Sequence, residues 1–431
     1  MAELARKLSL FDAVSIVVGI VIGGGIFLVP SVIARNLPTA GSILLVWLAA
    51  AILSFFGALA FAELGAMLPA TGGQYVFLRE AYGPLIAFLC AWTLFLIIMA
   101  AQISSLAIGF AIYLSQFVSL APWASKAVAL ALIAVISLVS YRGTKAGAFV
   151  QKTFLVLKVA GILVLIGSAF FSHAPSRLDF SSLGPVHSTQ LGFAMVACLL
   201  AYDGWNIVSF ISGEIKRPER NIPLALGFGV ATVAVLYLLL NLAFLKVLTV
   251  PEIAAADKVG AVVAGRTLGP IGASVVAVVI LISIVGSLNG GVMAPPRIYF
   301  AQARDGLFFR SFGVVHPRFL TPGLSIIAQG VWASILAVTG NYERLISFAI
   351  LASWIFYALT VVGLIVLRRK RPDLARPYRM WGYPFTAVAF VAISVWFVIT
   401  TVMHSPGSSA VALLLIGSGV PVYWIWRKRN A

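Results

Sequence analysis

The run Gly19-Ile20-Val21-Ile22-Gly23-Gly24-Gly25-Ile26-Phe27 sets three consecutive glycines inside the apolar stretch 11–33. Each glycine costs a helix about 1 kcal/mol relative to alanine, so the stretch predicts a helix broken near its middle. A second interruption, Leu200-Ala201-Tyr202-Asp203-Gly204-Trp205-Asn206, puts an acid beside a glycine at comparable depth in the stretch 190–213. Most of the remaining apolar runs are smooth. Between these two, the chain holds four uninterrupted runs, so the breaks fall five runs apart.

The surrounding composition says what kind of stretches these are. Of 431 residues, 61% are hydrophobic and 10% charged, against roughly 45–50% and 25% in soluble domains. A soluble enzyme and a disordered chain are both excluded. A bilayer core takes about 20 mostly apolar residues per helix, and twelve such runs are present: 11–33, 41–67, 83–115, 124–140, 148–171, 190–213, 222–247, 270–296, 323–340, 343–367, 384–403 and 408–426. They are numbered here as spans 1 to 12. Proline and glycine punctuate the gaps, among them Pro38, Pro69, Pro84, Pro122, Gly143, Pro175, Pro218, Pro251, Pro322, Pro372 and Pro406. The first run reads as a retained helix rather than a cleaved signal.

A net charge of +17 would indicate nucleic acid in a soluble protein; in a membrane protein its position decides its meaning. With the N-terminus cytoplasmic, twenty-two of the 30 Lys and Arg residues fall on that side, six of them in Arg368, Arg369, Lys370, Arg371, Arg376 and Arg379. Seven fall outside: Arg35, Lys126, Arg177, Lys246, Lys258, Arg266 and Arg344. This bias predicts a multi-pass protein of the cell membrane with both termini cytoplasmic and no nucleic-acid partner. Only Lys158 is left within a span.

Interruptions five spans apart imply two five-helix repeats. Since five is odd, the second copy enters the bilayer from the opposite face, the inverted repeat that secondary transporters use to place a substrate site at the midplane. The expected fold is an all-α integral membrane protein of 12 transmembrane helices in a 5+5 inverted repeat with discontinuous spans 1 and 6. Residues 1–180 form the first repeat, 181–371 the second, and 372–431 carry the last two spans.

Unwinding at Gly23–Gly25 leaves free N–H groups and a positive dipole end on the outer half-helix, and free carbonyls on the inner one. An α-amino acid fits both ends at once. Its carboxylate would meet the amides of Gly24, Gly25 and Ile26. Its ammonium would meet carbonyls near Val21 and Ile22 and those from Ala201 through Tyr202 to Asp203. The competing reading, glycines for close helix packing, is weakened by the matching break in span 6.

The residues resemble a known family, the amino acid–polyamine–organocation superfamily. Gly23 to Phe27 is similar to its first-helix motif, and the stretch from Ala62 to Pro84, AELGAMLPATGGQYVFLREAYGP, to its signature between the second and third helices. Ala201 to Asn206 (AYDGWN), Gly213 to Pro223 (GEIKRPERNIP), Gly286 to Gly290 (GSLNG) and Ala303 to Leu307 (ARDGL) resemble the L-type amino acid transporter branch. The resemblance runs over about residues 8–385. It implies a LeuT-type fold and a sodium-independent amino acid exchanger, usually for neutral substrates, working by alternating access. Carried over by position, the carboxylate would bind at Gly24, Gly25 and Ile26, and the ammonium at Val21, Leu200 and Asp203. Two departures stand out: the family usually has Ser where this chain has Gly24, and Asp203 replaces a small neutral residue of several relatives. The second favours either cationic substrates or a tighter hold on the ammonium. The loop from Ser115 to Trp123 lacks the cysteine that eukaryotic members use to bind a glycoprotein subunit, so no disulfide-linked heavy subunit is expected.

Lys158 sits too centrally to snorkel, where a buried lysine costs about 2.5–3.5 kcal/mol. The resemblance places it beside the broken first helix, donating to the loose carbonyls around Ile20 and Val21 in place of a coupling ion; a proton-coupling role is the alternative. Glu63 and Asp12 are expected to be solvated or paired on the inner side. Glu214 and Lys216 are candidates for a cytoplasmic gate or an ordinary surface pair. Trp205 and Phe27 are open to readings as substrate-stacking gates or as packing, and Gln102, Asn241 and Asn289 as interhelical hydrogen bonders. Cys90 and Cys198 have no metal-ligand or disulfide spacing, and neither metal nor cofactor is expected. The four histidines lie in loops or at span ends, and no acid pair shares a span, which argues against an intramembrane enzyme. No filter ring or polar stripe marks a channel. Proton-coupled uptake and transport of cationic amino acids or polyamines remain alternatives to neutral exchange.

Overall fold

A computed structural model describes residues 4–172, 176–178, 188–339 and 342–430, the side chains of 342–347, 429 and 430 excepted. Pro175, His173, His187, the side chain of Arg344 and the 180/181 repeat boundary lie outside the described residues. All described elements are helical, apart from one isolated bridge between Leu8 and Ile215.

Among the described residues, ten helices are long and apolar enough to cross a membrane, and a bent pair makes an eleventh. The run expected as span 9 forms Gly323–Thr339, an apolar helix of 17 residues. At 1.5 Å per residue it reaches about 25 Å, short of a core of about 30 Å. Length therefore supports eleven crossings; the count of twelve rests on sequence.

Both predicted breaks are present. Span 1 divides into Leu10–Val21 and Gly25–Ala34, bent by 44°. Its inner half starts with a capping box in which Ser9 and Asp12 exchange hydrogen bonds, and Asp12 also pairs with Lys152 at 2.9 Å. Span 6 runs as an α-helix over Ser188–Ala201, turns, and continues as a 3-10 helix over Trp205–Glu214. Gly204 makes this turn with φ +104°, where a side chain would also run into Ile20. Gly290 of span 8 (Gly272–Met293) makes room for the same Ile20 side chain. Two glycines thus seat the residue just before the first break.

Span 2 (Ala40–Met67) and span 7 (Pro218–Val247) pack along each other. Ile222 lies against Gly65, the close approach that small residues permit where no hydrophobic force drives helices together. Span 3 (Pro84–Leu114) is continuous but carries one π-helical turn, Leu94–Ile98. Widening the turn frees carbonyls, and Trp332 donates its indole N–H to that of Leu96 at 2.9 Å. Span 5 is Thr144–Phe171 and span 10 is Tyr342–Lys370. Loops read only as breaks hold further helices, including Gln74–Tyr82, Val259–Leu268 and Pro296–Arg304.

Polar contacts fall into two groups. Arg35 donates its guanidinium to the carbonyl of Ala254, and the backbone amide of Arg177 donates to that of Lys246, all on the face expected outside. Arg79 pairs with Asp305, Lys152 with Asp12 and Arg368 with Glu63 on the other face. Glu63 is fully buried and holds Arg368 Nε at 2.9 Å while accepting the Met380 amide at 2.7 Å. It is paired, as expected, but not solvated.

Candidate functional site

The two breaks face each other across a cavity of about 240 Å³. Span 1 contributes Val21, Gly23, Gly24 and Gly25, and span 6 contributes Leu200, Ala201 and Asp203. Gly25 lies so close to span 6 that its Cβ position is 3.8 Å from the Cα of Ala201. Gly24 opens into free space, and no side chain caps the first turn of the outer half-helix. Its amides are thus left for whatever fills the cavity.

The other expected site residues lie elsewhere. Ile22, Ile26, Tyr202 and Trp205 are buried and do not line the cavity. Tyr202 packs its ring on Trp47 and Tyr237. Trp205 fills the space between Phe61, Tyr357 and Phe390, the packing alternative rather than a stack over the cavity. Phe27 lies away from this cavity, lining a small crevice with Tyr113, Lys258 and Gly260 on the face expected outside.

Lys158 is fully buried, and its Nζ lies 2.7 Å from the carbonyls of Gly19 and Ile22 and 3.1 Å from that of Ser283. The carbonyls differ by one position from the expected Ile20 and Val21. The two carbonyls in between have other donors: the Ser287 hydroxyl stands 3.1 Å from the Ile20 carbonyl, as it does from that of Gly19, and 3.2 Å from that of Ile22, and the Gly23 amide donates to Val21 at 2.8 Å. Tyr237 bridges the two broken spans, its hydroxyl 3.0 Å from the Val21 carbonyl and 3.1 Å from that of Ala201. This corrects the expectation of free carbonyls at Val21, Ile22 and Ala201. One hydroxyl proton serves one acceptor at a time, and the Val21 carbonyl also accepts the Gly23 amide at 2.8 Å, so whichever of the Val21 and Ala201 carbonyls Tyr237 leaves keeps a lone pair for a further donor.

Asp203 is half-buried against the cavity, and Tyr357 donates its hydroxyl to the carboxylate at 2.8 Å. The same hydroxyl stands 3.1 Å from Asn206 Oδ1, whose amide reaches Gln74 at 3.3 Å. Sequence reasoning missed Tyr357, Ser287 and Ser353 on this cavity. It assigned Gln102 to interhelical hydrogen bonding, yet Gln102 lines the cavity and its Oε1 has no partner among the described residues. Asn289 does bond between helices, to the Gly147 carbonyl at 2.9 Å and to Gln151 at 2.8 Å. Asn241 donates within its own helix to Tyr237 at 2.8 Å.

At the foot of span 6 Glu214 is buried and pairs with Arg297 at 2.7 Å, with Thr144 bonded to both. Lys216 is exposed and is not part of this cluster. The gate candidate Glu214 thus pairs with another helix, through an arginine that directly follows the predicted end of span 8. The N-terminal segment closes over the same point: the amides of Lys7 and Leu8 donate to the Glu214 carbonyl at 2.9 Å.

The amino acid permease family matches residues 8–425, nearly the whole chain and both breaks. The protein belongs to that family. This amino acid permease is 32% identical to the human b(0,+)-type amino acid transporter 1, over 98% of the chain and 88% of the relative. It is 31% identical to the serine/threonine exchanger of Bacillus subtilis, over 99% and 98%. It is 28% identical to the mouse large neutral amino acids transporter small subunit 2, over 98% and 81%. The permease is therefore an amino acid transporter of the amino acid–polyamine–organocation superfamily, in its L-type branch, and not an enzyme. Its helices make it a multi-pass membrane protein. Both of its cysteines, Cys90 and Cys198, are buried and free, and no group of three metal-ligating side chains occurs among the described residues.

Proposed function

We propose that the permease exchanges neutral L-amino acids across the membrane by alternating access, without sodium. The substrate carboxylate sits on the amides of Gly24 and Gly25, the two of the three expected positions that line the cavity. The ammonium sits between Asp203 and whichever of the Val21 and Ala201 carbonyls Tyr237 leaves open, near Leu200. Residues 1–180 and 181–371 act as the two inverted repeats, with 372–431 outside the moving pair. Both termini lie in the cytoplasm, and no disulfide-linked subunit is required.

The observation that carries this reading is Lys158. A carbonyl cluster at a helix break is a cation site, and here a side chain of the protein supplies the cation. An exchanger that brings its own positive charge has no vacancy for sodium. Glu214, Arg297 and Thr144 close the cytoplasmic end and must part when the site opens inward.

A second reading rests on Asp203. Its carboxylate faces the cavity and pairs with no Lys or Arg among the described residues, so it also suits the side chain of a cationic amino acid.

Competition in proteoliposomes loaded with alanine distinguishes the two. Unlabelled leucine, serine and arginine are each added outside against labelled alanine, in sodium and in choline buffer. Inhibition by leucine or serine that is equal in both buffers supports neutral exchange; inhibition by arginine alone supports the second reading. Uptake that vanishes in choline contradicts the role given to Lys158.

A further inference from the structure

A second cavity, of about 720 Å³, lies between spans 2 and 7 and ends at the basic face. Phe55 and Leu59 of span 2 and Leu224, Gly227 and Phe228 of span 7 form its walls. Gly227 is nine residues into span 7, about 14 Å along the helix, so the deep end lies at hydrocarbon depth. Apolar walls at that depth exclude a hydrated ligand and admit an acyl chain.

The mouth decides which lipid. Arg220 lines it, and no carboxylate pairs with Arg220 among the described residues. Tyr378 and Trp381 form the roof with ring centroids 6.5 Å apart, and Trp381 is 67% exposed, the aromatic arrangement of a headgroup boundary. Glu219 is the one acid in the lining. It is outnumbered by Arg220 and by the exposed Lys216, Arg217 and Arg379 next to the mouth in the chain. The roof is fixed, because Met380 donates its amide to the buried Glu63. A preformed apolar slot under a fixed basic and aromatic rim is the form of a specific lipid site.

We propose that this groove holds an acyl chain of an anionic phospholipid, with the lipid phosphate held by Arg220 beneath Tyr378 and Trp381. A groove of about 690 Å³ between spans 4 and 9, lined by Ser137, Tyr141, Gly330 and Ser334 among apolar residues, has no charged side chain. Lipid held there is expected to show no headgroup preference. The proposal rests on the groove and not on the transport reading, so its failure and that of the exchange mechanism are separately visible.

Native mass spectrometry of the detergent-purified chain, titrated with phosphatidylglycerol or phosphatidylcholine of equal chain length, tests it. The native sequence is expected to retain phosphatidylglycerol at least fivefold more strongly. Arg220→Gln combined with Arg379→Gln should reduce that preference below twofold. A Cβ at Gly227 meets no atom within 4 Å, so Gly227→Phe places its ring in the groove and should remove the preferred phosphatidylglycerol adduct while gel filtration stays unchanged. Equal retention of the two lipids by the native sequence, or persistence of the adduct in folded Gly227→Phe, overturns the proposal. A dimer of the chain that Gly227→Phe dissociates also overturns it, by giving the groove to a second copy.

Discussion

Lys158 reaches from the middle of span 5 to the carbonyl of Gly19, 2.7 Å away on the inner half of span 1. A second bond of equal length to the Ile22 carbonyl spans the last turn before the glycines. One ammonium thus satisfies the end of a helix that stops inside the membrane, where every unsatisfied carbonyl is costly. The interaction is structural and electrostatic at once, and the predictions follow from separating these roles.

Lys158→Ala removes the cation and leaves the Gly19 and Ile22 carbonyls to Ser287 and water. Exchange should fall at least tenfold, while the protein still elutes as a single species from gel filtration. Initial rates of labelled alanine uptake into alanine-loaded vesicles, normalised to inserted protein, check this; native-like rates contradict the assigned role.

Glu214 and Arg297 are both fully buried, and removing one partner of such a pair leaves an uncompensated charge, at about 3–5 kcal/mol. Glu214→Gln and Arg297→Met should each lower the melting temperature in detergent by several degrees. Glu214→Leu with Arg297→Met should recover part of that loss and still disturb exchange, which is what the proposed gate role of the pair requires. A double variant as unstable as the two singles combined contradicts the pairing.

Two glycines should respond in opposite ways. Gly24 opens into free space, so Gly24→Ser should fold with an unchanged melting temperature and bind alanine with an equal or lower KM, the hydroxyl lying beside the free amides. Gly204→Ala meets both a positive φ and the Ile20 side chain, with strain of about 1–2 kcal/mol from the backbone alone. It should lower both melting temperature and transport.

Asp203→Gly tests the charge in the cavity. The ratio of arginine to alanine uptake should fall at least tenfold if the carboxylate holds a cationic side chain. An unchanged ratio restricts Asp203 to the ammonium and its Tyr357 bond.

The breaks were legible because glycine and an acid are conspicuous in an apolar run, and because the two interruptions match at five spans apart. Lys158 was legible for the same reason: a lone charge at mid-span has few explanations. Tyr237, Tyr357 and Ser287 were not, because one aromatic or serine in a membrane helix looks like packing until the opposite helix is known. Arg297 was hidden by its position after Pro295 and Pro296, where a loop and a buried helix start read alike. The expected free carbonyls failed for a related reason. Sequence shows which carbonyls a break releases, not which neighbouring side chains take them.

The central claim, exchange on a site that carries its own cation, is tested most directly by counterflow. Labelled alanine uptake is measured into vesicles that are empty or loaded with alanine, in sodium-free buffer, with and without an inward proton gradient. The account predicts uptake only into loaded vesicles and at the same rate with or without the gradient; gradient-driven accumulation in empty vesicles contradicts it.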